Sequence, residues 1–328
     1  MTENVEKTVS DVYPSLFHYT TYSGLIGILQ SQSLWATNYQ FLNDSTEFKL
    51  AAERLVHEIK PHYERAIIEQ ISINDMFKGY IQAKGGLHNF INEPVTIAES
   101  MYKATGDNIF ITSFSAHLDQ YVAQNGQLSQ WRAYGIDGGY SIEFNSKEIE
   151  NLFKEESEAY DCTGYLADTI YSDDEEKFRL ELQPKTESLI YTAIETFRSI
   201  IERRAATIPP SAYSDFISFS GRYKHHAFKE ENEVRIFVDV KNTTKDKAPH
   251  AIRYRGGTLK TPYISLFERG ETLKLEELSR DNITVPIKRI IVGPHKDKHL
   301  RAASLKAILR HTDIEVTMSD IPFVGVHV

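Results

Sequence analysis

Phe17-His18-Tyr19-Thr20-Thr21 and, further along the chain, Leu34-Trp35-Ala36-Thr37-Asn38 are the two stretches that decide the fold. The first predicts a short strand that ends near its His-Tyr pair. Either threonine can then cap a helix, since a hydroxyl satisfies a free backbone N–H at a helix start. The spacing of Leu25, Ile28 and Leu29 predicts one buried stripe on that helix. A polar aromatic pair beside a helix N-terminus is a candidate anion or sugar site.

Composition restricts the class of protein. The chain has 328 residues, 41% hydrophobic and 25% charged, which is typical of a soluble globular protein. A net charge of −9 argues against a nonspecific nucleic-acid binder, which needs a basic surface. The single cysteine, Cys162, excludes an internal disulfide and a cysteine-based zinc cluster. No signal core or membrane-length apolar run occurs, so we expect a cytoplasmic protein with no membrane partner.

The order of the elements predicts an α+β protein, because strands and helices do not alternate regularly enough for a parallel doubly wound sheet. We expect one domain over residues 11–328, with a disordered N-terminus over 1–10. Residues 46–105 are predicted to form a helical insertion in which Pro61 breaks the first helix. Residues 211–228 have no clear period and are interpreted as irregular. Strands are expected near 107–115, 251–254 and 263–267, among others.

Two clusters of residues could form a site, and each has two interpretations. Trp131 lies in a polar, glycine-rich neighbourhood, where it could stack on a ligand ring or fill the core. Glu231, Glu233 and Arg235 would share one face of a strand, because side chains alternate with period two. They could decorate a sheet edge or form a preorganised charged site.

Several short motifs occur in an order that resembles domain-of-unknown-function family 2971, a group of bacterial proteins. The resemblance runs from about Leu16 to Phe323. The motifs are Phe17-His18-Tyr19-Thr20, Leu42-Asn43-Asp44, Ser113-Phe114-Ser115, Gln130-Trp131-Arg132-Ala133-Tyr134-Gly135, Tyr140-Ser141-Ile142-Glu143-Phe144, Glu231-Asn232-Glu233-Val234-Arg235, Pro262-Tyr263-Ile264, Ile291-Val292-Gly293-Pro294 and Ser319-Asp320-Ile321-Pro322-Phe323.

The start of the chain is also similar to ADP-ribosyltransferases that modify DNA or remove an RNA 2′-phosphate. That resemblance implies a split mixed or antiparallel sheet core, with NAD as substrate and no metal. His18 would hold the nicotinamide-side ribose, and Glu233, with Glu231 as its rival, would be the catalytic glutamate. The tyrosine that stacks on nicotinamide is not fixed, because Tyr134 and Tyr140 both match its place in the order.

The residues that the resemblance places around NAD are His18, Tyr19, Thr20, Trp131, Tyr134 and Tyr140. A carboxylate near the sugar would stabilise the oxocarbenium-like transition state of nicotinamide loss. We expect His18, one of the middle aromatics and Glu233 to meet in one cleft. The implied function is an NAD-dependent ADP-ribosyltransferase or NAD glycohydrolase, for example in phage defence or as a toxin, with a protein or nucleic acid as acceptor. The alternative is a non-catalytic module of the same fold that binds a nucleotide or ADP-ribose. The oligomeric state is left open.

Overall fold

The computed structural model describes residues 7–42, 47–91, 108–135, 138–160, 162–202, 204–205, 210–240, 250–256 and 258–322. Contacts divide the chain into two compact units. The sheet unit comprises 1–38, 108–168 and 229–328, and the helical unit comprises 39–107 and 169–228. The predicted insertion 46–105 falls within the helical unit, together with 169–228, a segment that the sequence analysis did not group with it.

A ten-stranded sheet forms the sheet unit, which makes this an α+β protein as expected. Eight strands follow the order β12-β11-β4-β1-β3-β2-β10-β9, while β8 pairs with β3 and β5 pairs with β8. Only β11 and β12 are parallel among these pairs of described strands. The sheet is therefore mixed but mostly antiparallel. The strands are β1 Ser15–Thr20, β2 Leu34–Asn38, β3 Ile109–Ser115, β4 Tyr140–Asn145, β5 Thr163–Asp168, β8 Glu233–Asp239, β9 Arg253–Arg255, β10 Thr261–Leu266, β11 Ile287–Val292 and β12 Glu315–Met318.

The sheet forks at β3. Strand β8 pairs with β3 along its whole length, from Ile109 to Ser115, and so occupies one edge. Strands β1 and β2 must share the other edge, because a strand has only two. β1 pairs with β3 at Ser115, and β2 pairs with it at Phe110 and Ile111. The described pairings leave residues 112–114 of that edge without a partner strand. We call this gap the fork.

Six described helices accompany the sheet: α1 Val9–Val12, α2 Tyr22–Ser31, α6 Gln120–Asn125, α7 Leu128–Tyr134, α8 Ser146–Tyr160 and α11 Lys298–Ile308. Helix α1 begins inside the segment 1–10 that was predicted to be disordered, of which residues 1–6 lie outside the described part. The prediction for α2 is confirmed. The Thr21 hydroxyl caps it by accepting a hydrogen bond from the Gly24 N–H. Leu25, Ile28 and Leu29 are buried on its inner side.

The two faces of the sheet differ in character. Side chains alternate between the faces along each strand. The apolar face packs with the buried stripe of α2 and carries Leu16, Phe110, Phe114, Ile142, Phe144, Val234, Ile236, Val238, Ile264 and Leu266. The opposite face, which we call the polar face, carries Ser113, Ser115, Glu143, Glu233, Arg235 and Arg289. A smaller apolar cluster of Phe17, Tyr19, Trp131 and Ile291 also lies on the polar face.

The helical unit differs from the sequence prediction in two places. Helix α3, Glu47–Ile73, continues through Pro61, so the predicted break there is wrong. Proline removes one backbone hydrogen bond, but buried side chains on both sides of it, including Ile59 and Tyr63, hold the helix to the core. Residues predicted to be irregular instead form α10, Pro210–Arg222, which buries Phe216 and Phe219.

The helical unit also contains α4 Asp75–Ala83, α5 Leu87–Ile91, α9 Gln183–Ile201 and the parallel pair β6 Ile170–Tyr171 and β7 Tyr223–Lys224. Shorter helical turns are Tyr39–Phe41, Glu175–Lys177 and the π-helix Phe178–Leu182. Phe197 of α9 packs against Tyr63 and Phe77, with ring centroids 5.3 and 5.4 Å away. No described helix of either unit is both long and apolar enough to span a membrane.

Candidate functional site

His18 and Glu233 lie on opposite faces of the sheet. Phe17 is directly opposite Ser115, and Ser115 is directly opposite Glu233. Residues that oppose each other across antiparallel strands point to the same face, so Glu233 shares the face of Phe17. His18, one residue further along β1, points to the other face. The registers thus do not bring His18 and Glu233 together on one face of the sheet.

His18 lies beside the fork. Its Nδ1 is 2.9 Å from the carbonyl oxygen of Ser113, one of the β3 residues without a partner strand on that edge. A carbonyl only accepts, so Nδ1 carries the proton and Nε2 is the acceptor of the neutral ring. Burial lowers the pKa of His18, the Ser113 bond opposes this, and the positive charge of Arg255 lowers it further. His18 is thus a neutral hydrogen-bonding group near pH 7.

Arg255 is the cation whose charge reaches His18, and it belongs to a cluster on β2, β9 and β10. Its Nη2 donates to the Thr37 hydroxyl over 2.7 Å. The guanidinium lies 5.5 Å from the Trp35 ring centroid and 5.9 Å from that of Tyr263, within cation–π range. The two rings lie 5.0 Å apart.

Thr37 opposes Ile111 and Tyr263 on the neighbouring strands, so Trp35, Thr37 and Tyr263 share the face of Ser113 and Glu233, opposite to His18. We call Trp35, Thr37, Arg255 and Tyr263 the fork site. His18 lies across the fork from it, within range of the charge of Arg255.

The charge of Arg255 is not neutralised within the described part of the chain. No described carboxylate lies within ion-pair distance of its guanidinium, and partial burial lowers its pKa. Its neighbour Arg253, two residues earlier on β9, differs: it bonds Glu268 with both terminal nitrogens, at 2.9 and 2.6 Å. Arg255 remains charged, since an arginine is not deprotonated in proteins. The fork site therefore presents an exposed guanidinium, with no described carboxylate beside it, framed by two aromatic rings.

Trp35 has one edge fixed against α2. A Cβ atom placed on Gly27 would lie only 3.1 Å from the Trp35 ring, so the helix backbone itself approaches the indole. This contact explains a glycine in the middle of α2, where it costs helix stability. Trp35 keeps an intermediate exposure, as does Tyr263. The indole is thus held in place while part of it remains open to solvent.

Tyr19 and Trp131, both expected to bind NAD, belong to the buried cluster on the polar face. Trp131 is fully buried, donates from Nε1 to the Asn125 carbonyl over 3.0 Å, and meets Tyr19 edge-on at 4.9 Å. The Tyr19 hydroxyl accepts from the Gln127 N–H and bonds Nε2 of His117, both at 2.8 Å. Of the two interpretations of Trp131, the structure shows the core-filling one.

Glu233 and Arg235 form a buried ion pair. Nε and Nη2 of Arg235 donate to the two carboxylate oxygens of Glu233, each over 2.8 Å. Only 3% and 6% of the arginine and glutamate side chains are exposed. Glu231 does not share their strand face, because it ends the 3₁₀ turn His226–Glu231 that precedes β8. Of the two acidic residues predicted on this strand face, only Glu233 is there, and Glu231 lies on a different element.

The remaining predicted residues are divided between strand ends and a helix surface. Thr20 points to the same face as His18 and pairs with Tyr140. Burial raises the pKa of Tyr140, an effect that the nearby Arg301 guanidinium opposes. Tyr134 ends α7 with 43% of its surface exposed. His18, Thr20 and Tyr140 therefore share one face of the sheet. Tyr19, Trp131 and Glu233 lie on the other face.

A groove of about 570 Å³ opens beside α6 in the sheet unit. We call it the α6 groove. Its lining includes the apolar side chains Leu118, Tyr121, Val122, Leu128, Ile321 and Pro322, with His117, Asp119, Gln127, Glu230 and Asn232 as polar members. Among the described residues, no group of three or more His, Cys, Asp and Glu side chains is placed to hold a metal ion.

Arg255 and Tyr263 were not predicted as site residues from the sequence. Both lie on strands that were predicted only for their period, and β9 was expected to end at residue 254. A usable signal was the alternation Arg253-Tyr254-Arg255 close to an aromatic strand, because arginines on an edge strand pair with carboxylates or ligands. Trp35 and Thr37 lie in a stretch recognised as important, but only for the fold.

Comparisons with known proteins identify part of the chain. No curated protein and no solved structure matches it. A family model described as "Protein of unknown function (DUF2971)" matches residues 130–236. This range holds three of the predicted motifs, those at Trp131, at Tyr140 and at Glu233, and so supports that part of the sequence interpretation. Residues 130–236 carry a DUF2971 domain.

Proposed function

We propose that this protein is a binding module for a nucleotide of the NAD and ADP-ribose class, and that the fork site is where the nucleotide binds. The observation that carries the proposal is Arg255: a charged guanidinium with no described carboxylate partner, held against two partly open aromatic rings. The Arg255 side chain is exposed at the end of β9, so solvent can carry its charge. Its guanidinium is nevertheless oriented by Thr37 and by two rings, and we expect an anionic ligand to use this arrangement.

The chemistry of the fork site fits a phosphate joined to a flat ring. Arginine binds phosphate through parallel N–H donors, and a charge-assisted bond of this kind is stronger than a neutral one. One Arg255 nitrogen bonds Thr37, which orients the guanidinium and leaves other N–H donors for a ligand. The exposed part of Trp35 offers a face on which an adenine or nicotinamide ring can stack.

We assign to His18, across the fork from Arg255, a contact with the ribose. Its Nδ1–H is engaged by Ser113, so the neutral ring presents Nε2 as an acceptor for a sugar hydroxyl. The lowered pKa keeps this acceptor available at neutral pH. A neutral histidine adds no charge that would compete with Arg255 for the phosphate. This is the ribose-binding role that the resemblance to ADP-ribosyltransferases gave to His18.

Cleavage of NAD is the second candidate function, after nucleotide binding. Stabilising the developing oxocarbenium ion needs a carboxylate beside the sugar. Glu233, the proposed catalytic residue, shares a sheet face with the rings of the fork site, but it binds Arg235 with both oxygens. Because that ion pair already engages the carboxylate, we propose the binding module over an ADP-ribosyltransferase or NAD glycohydrolase.

Replacing Arg255 by Ala is expected to weaken ADP-ribose binding about 10–100-fold, because bonds to a charged group contribute about 1.5–3 kcal/mol. Isothermal titration calorimetry of purified protein with ADP-ribose measures this directly. Arg253→Ala is the matched control: it removes an arginine from the same strand whose charge Glu268 already neutralises. The affinity of Arg253→Ala for ADP-ribose should stay within about twofold of the wild-type value.

Two outcomes would count against the proposal. If wild type and Arg255→Ala bind ADP-ribose equally, the fork site is not the phosphate site. If NAD incubated with the wild-type protein yields free nicotinamide, the protein is an enzyme and the purely binding function is wrong. Inorganic pyrophosphate in the same titration separates recognition of the phosphates alone from recognition of the whole nucleotide.

A further inference from the structure

The α6 groove exposes apolar surface that the fork site does not use. Leu118 is 68% exposed and Tyr121 55% exposed, and both line this one groove. Single exposed apolar residues are ordinary on protein surfaces, but an apolar groove with a polar rim is typical of an interaction site. Val122, Leu128, Ile321 and Pro322 continue the apolar lining.

The charged side chains described in the lining of the α6 groove are acidic. Asp119 and Glu230 line it, and no lysine or arginine among the described residues does. Neither carboxylate forms an ion pair with a described residue; Asp119 accepts only the N–H of Val122 at the start of α6. With the net charge of −9, this groove attracts cations and repels phosphate groups. Nucleic acid and anionic lipid surfaces are therefore poor candidates for its occupant.

His117 adds a hydrogen-bond donor of defined position to the groove. The Tyr19 hydroxyl accepts the Gln127 N–H and bonds Nε2 of His117, and we assign the hydroxyl proton to this second bond. The imidazole proton is then on Nδ1, and burial, only partly offset by Glu143, lowers the pKa of His117 to about 4, so the ring is neutral at pH 7. Nδ1–H has no described partner. It suits a carbonyl acceptor, such as a peptide backbone.

We infer that the α6 groove docks an extended segment of a partner protein, with apolar side chains flanked by lysine or arginine. The apolar lining takes the apolar side chains, Asp119 and Glu230 take the basic ones, and His117 offers a bond to a backbone carbonyl. A groove of about 570 Å³ has room for a few side chains rather than for a folded domain. This surface is independent of the fork site.

Phage display on the full-length protein provides the test. One library carries four apolar or aromatic positions flanked by Lys-Lys on each side, and the matched library carries Glu-Glu in their place. We expect enrichment from the basic library only. Fluorescence polarisation with an enriched peptide should then show binding that weakens about tenfold or more in Leu118→Ser/Tyr121→Ser, since two buried contacts are lost.

Variants that lack the charges of Asp119 and Glu230 measure how much electrostatic attraction contributes to peptide affinity. Asp119→Asn keeps an effective helix cap while it removes the charge, and Glu230→Gln changes only a surface group. Together they should weaken the peptide about threefold to tenfold at low salt, with a smaller effect at high salt. All variants should keep the wild-type melting temperature and ADP-ribose affinity, which shows that the fold and the fork site are intact.

Three results would overturn the inference: no enrichment from either library, equal enrichment from the acidic library, or peptide binding that both variant sets leave unchanged. Sedimentation analysis tests whether a second copy of this chain occupies the groove. If wild type self-associates and Leu118→Ser/Tyr121→Ser is monomeric, the groove is an interface between copies of this chain, and the proposed peptide partner is wrong.

Discussion

Replacing Glu233 by Gln is expected to lower the free energy of unfolding by about 3–5 kcal/mol, the scale for breaking a buried ion pair from one side. The change leaves the Arg235 guanidinium, which is nearly inaccessible to solvent, beside a neutral amide. Chemical denaturation followed by circular dichroism measures the loss. Glu233 was predicted as a catalytic residue; from its two bonds to Arg235 we propose a structural role on β8 instead.

A second ion pair gives the control for Glu233. Glu268 bonds Arg253 with similar geometry, but 37% of that arginine side chain is exposed. Glu268→Gln should therefore cost only about 0–1 kcal/mol. The structural role of Glu233 is contradicted if Glu233→Gln is as mild as Glu268→Gln while nicotinamide release, present in wild type, disappears. That combination would restore Glu233 as a catalytic group.

Replacing Trp131 by Ala is the other change with a large expected effect, about 3–5 kcal/mol of unfolding free energy. The indole is fully buried between glycines and Tyr19, and its N–H bonds the Asn125 carbonyl. A Cβ atom on Gly126 would lie 2.5 Å from the ring and one on Gly293 2.9 Å from it. Trp131→Ala thus leaves a cavity at a place where the backbone of these glycines packs directly against the indole.

Tyr134→Ala is the matched control for Trp131→Ala, because it removes an aromatic from the same helix at an exposed position. Its cost should stay under about 1 kcal/mol. Thermal melts of both variants with and without ADP-ribose complete the comparison. A stable Trp131→Ala protein that no longer binds ADP-ribose would contradict the core role and would place the ligand at Trp131 rather than at the fork site.

The sequence was informative where structure is local. The strand β1, the cap at Thr21 and the stripe Leu25, Ile28 and Leu29 were predicted correctly, because each depends on neighbours within one or two turns. The period-two pattern also placed Glu233 and Arg235 on one strand face correctly. Both kinds of signal are short-range preferences of the chain.

The relation between His18 and Glu233 could not be predicted in the same way. It depends on two strand registers, Phe17 with Ser115 and Ser115 with Glu233, and a shift of one residue in either would exchange the faces. Register is set by the packing of the whole sheet. The fork depends likewise on which strand takes each edge of β3, and a single sequence does not encode that choice locally.

The errors in the helical unit have a related cause. Pro61 is a helix breaker by local preference, yet the helix continues because tertiary contacts outweigh one lost hydrogen bond. Arg255 shows the same limit for the site. The residues next to Arg255 in sequence do not distinguish it from Arg253. The two differ because Glu268 lies beside Arg253 and not beside Arg255.

Tryptophan fluorescence during titration with ADP-ribose tests the central claim, that the fork site binds a nucleotide, most directly. The chain has only two tryptophans, and Trp131 is fully buried in the core. We predict a saturable change in emission for wild type, at the dissociation constant found by calorimetry, and its loss in Trp35→Phe, in which the remaining indole is remote from solvent. An unchanged response in Trp35→Phe, or no response and no heat of binding in wild type, would contradict the account.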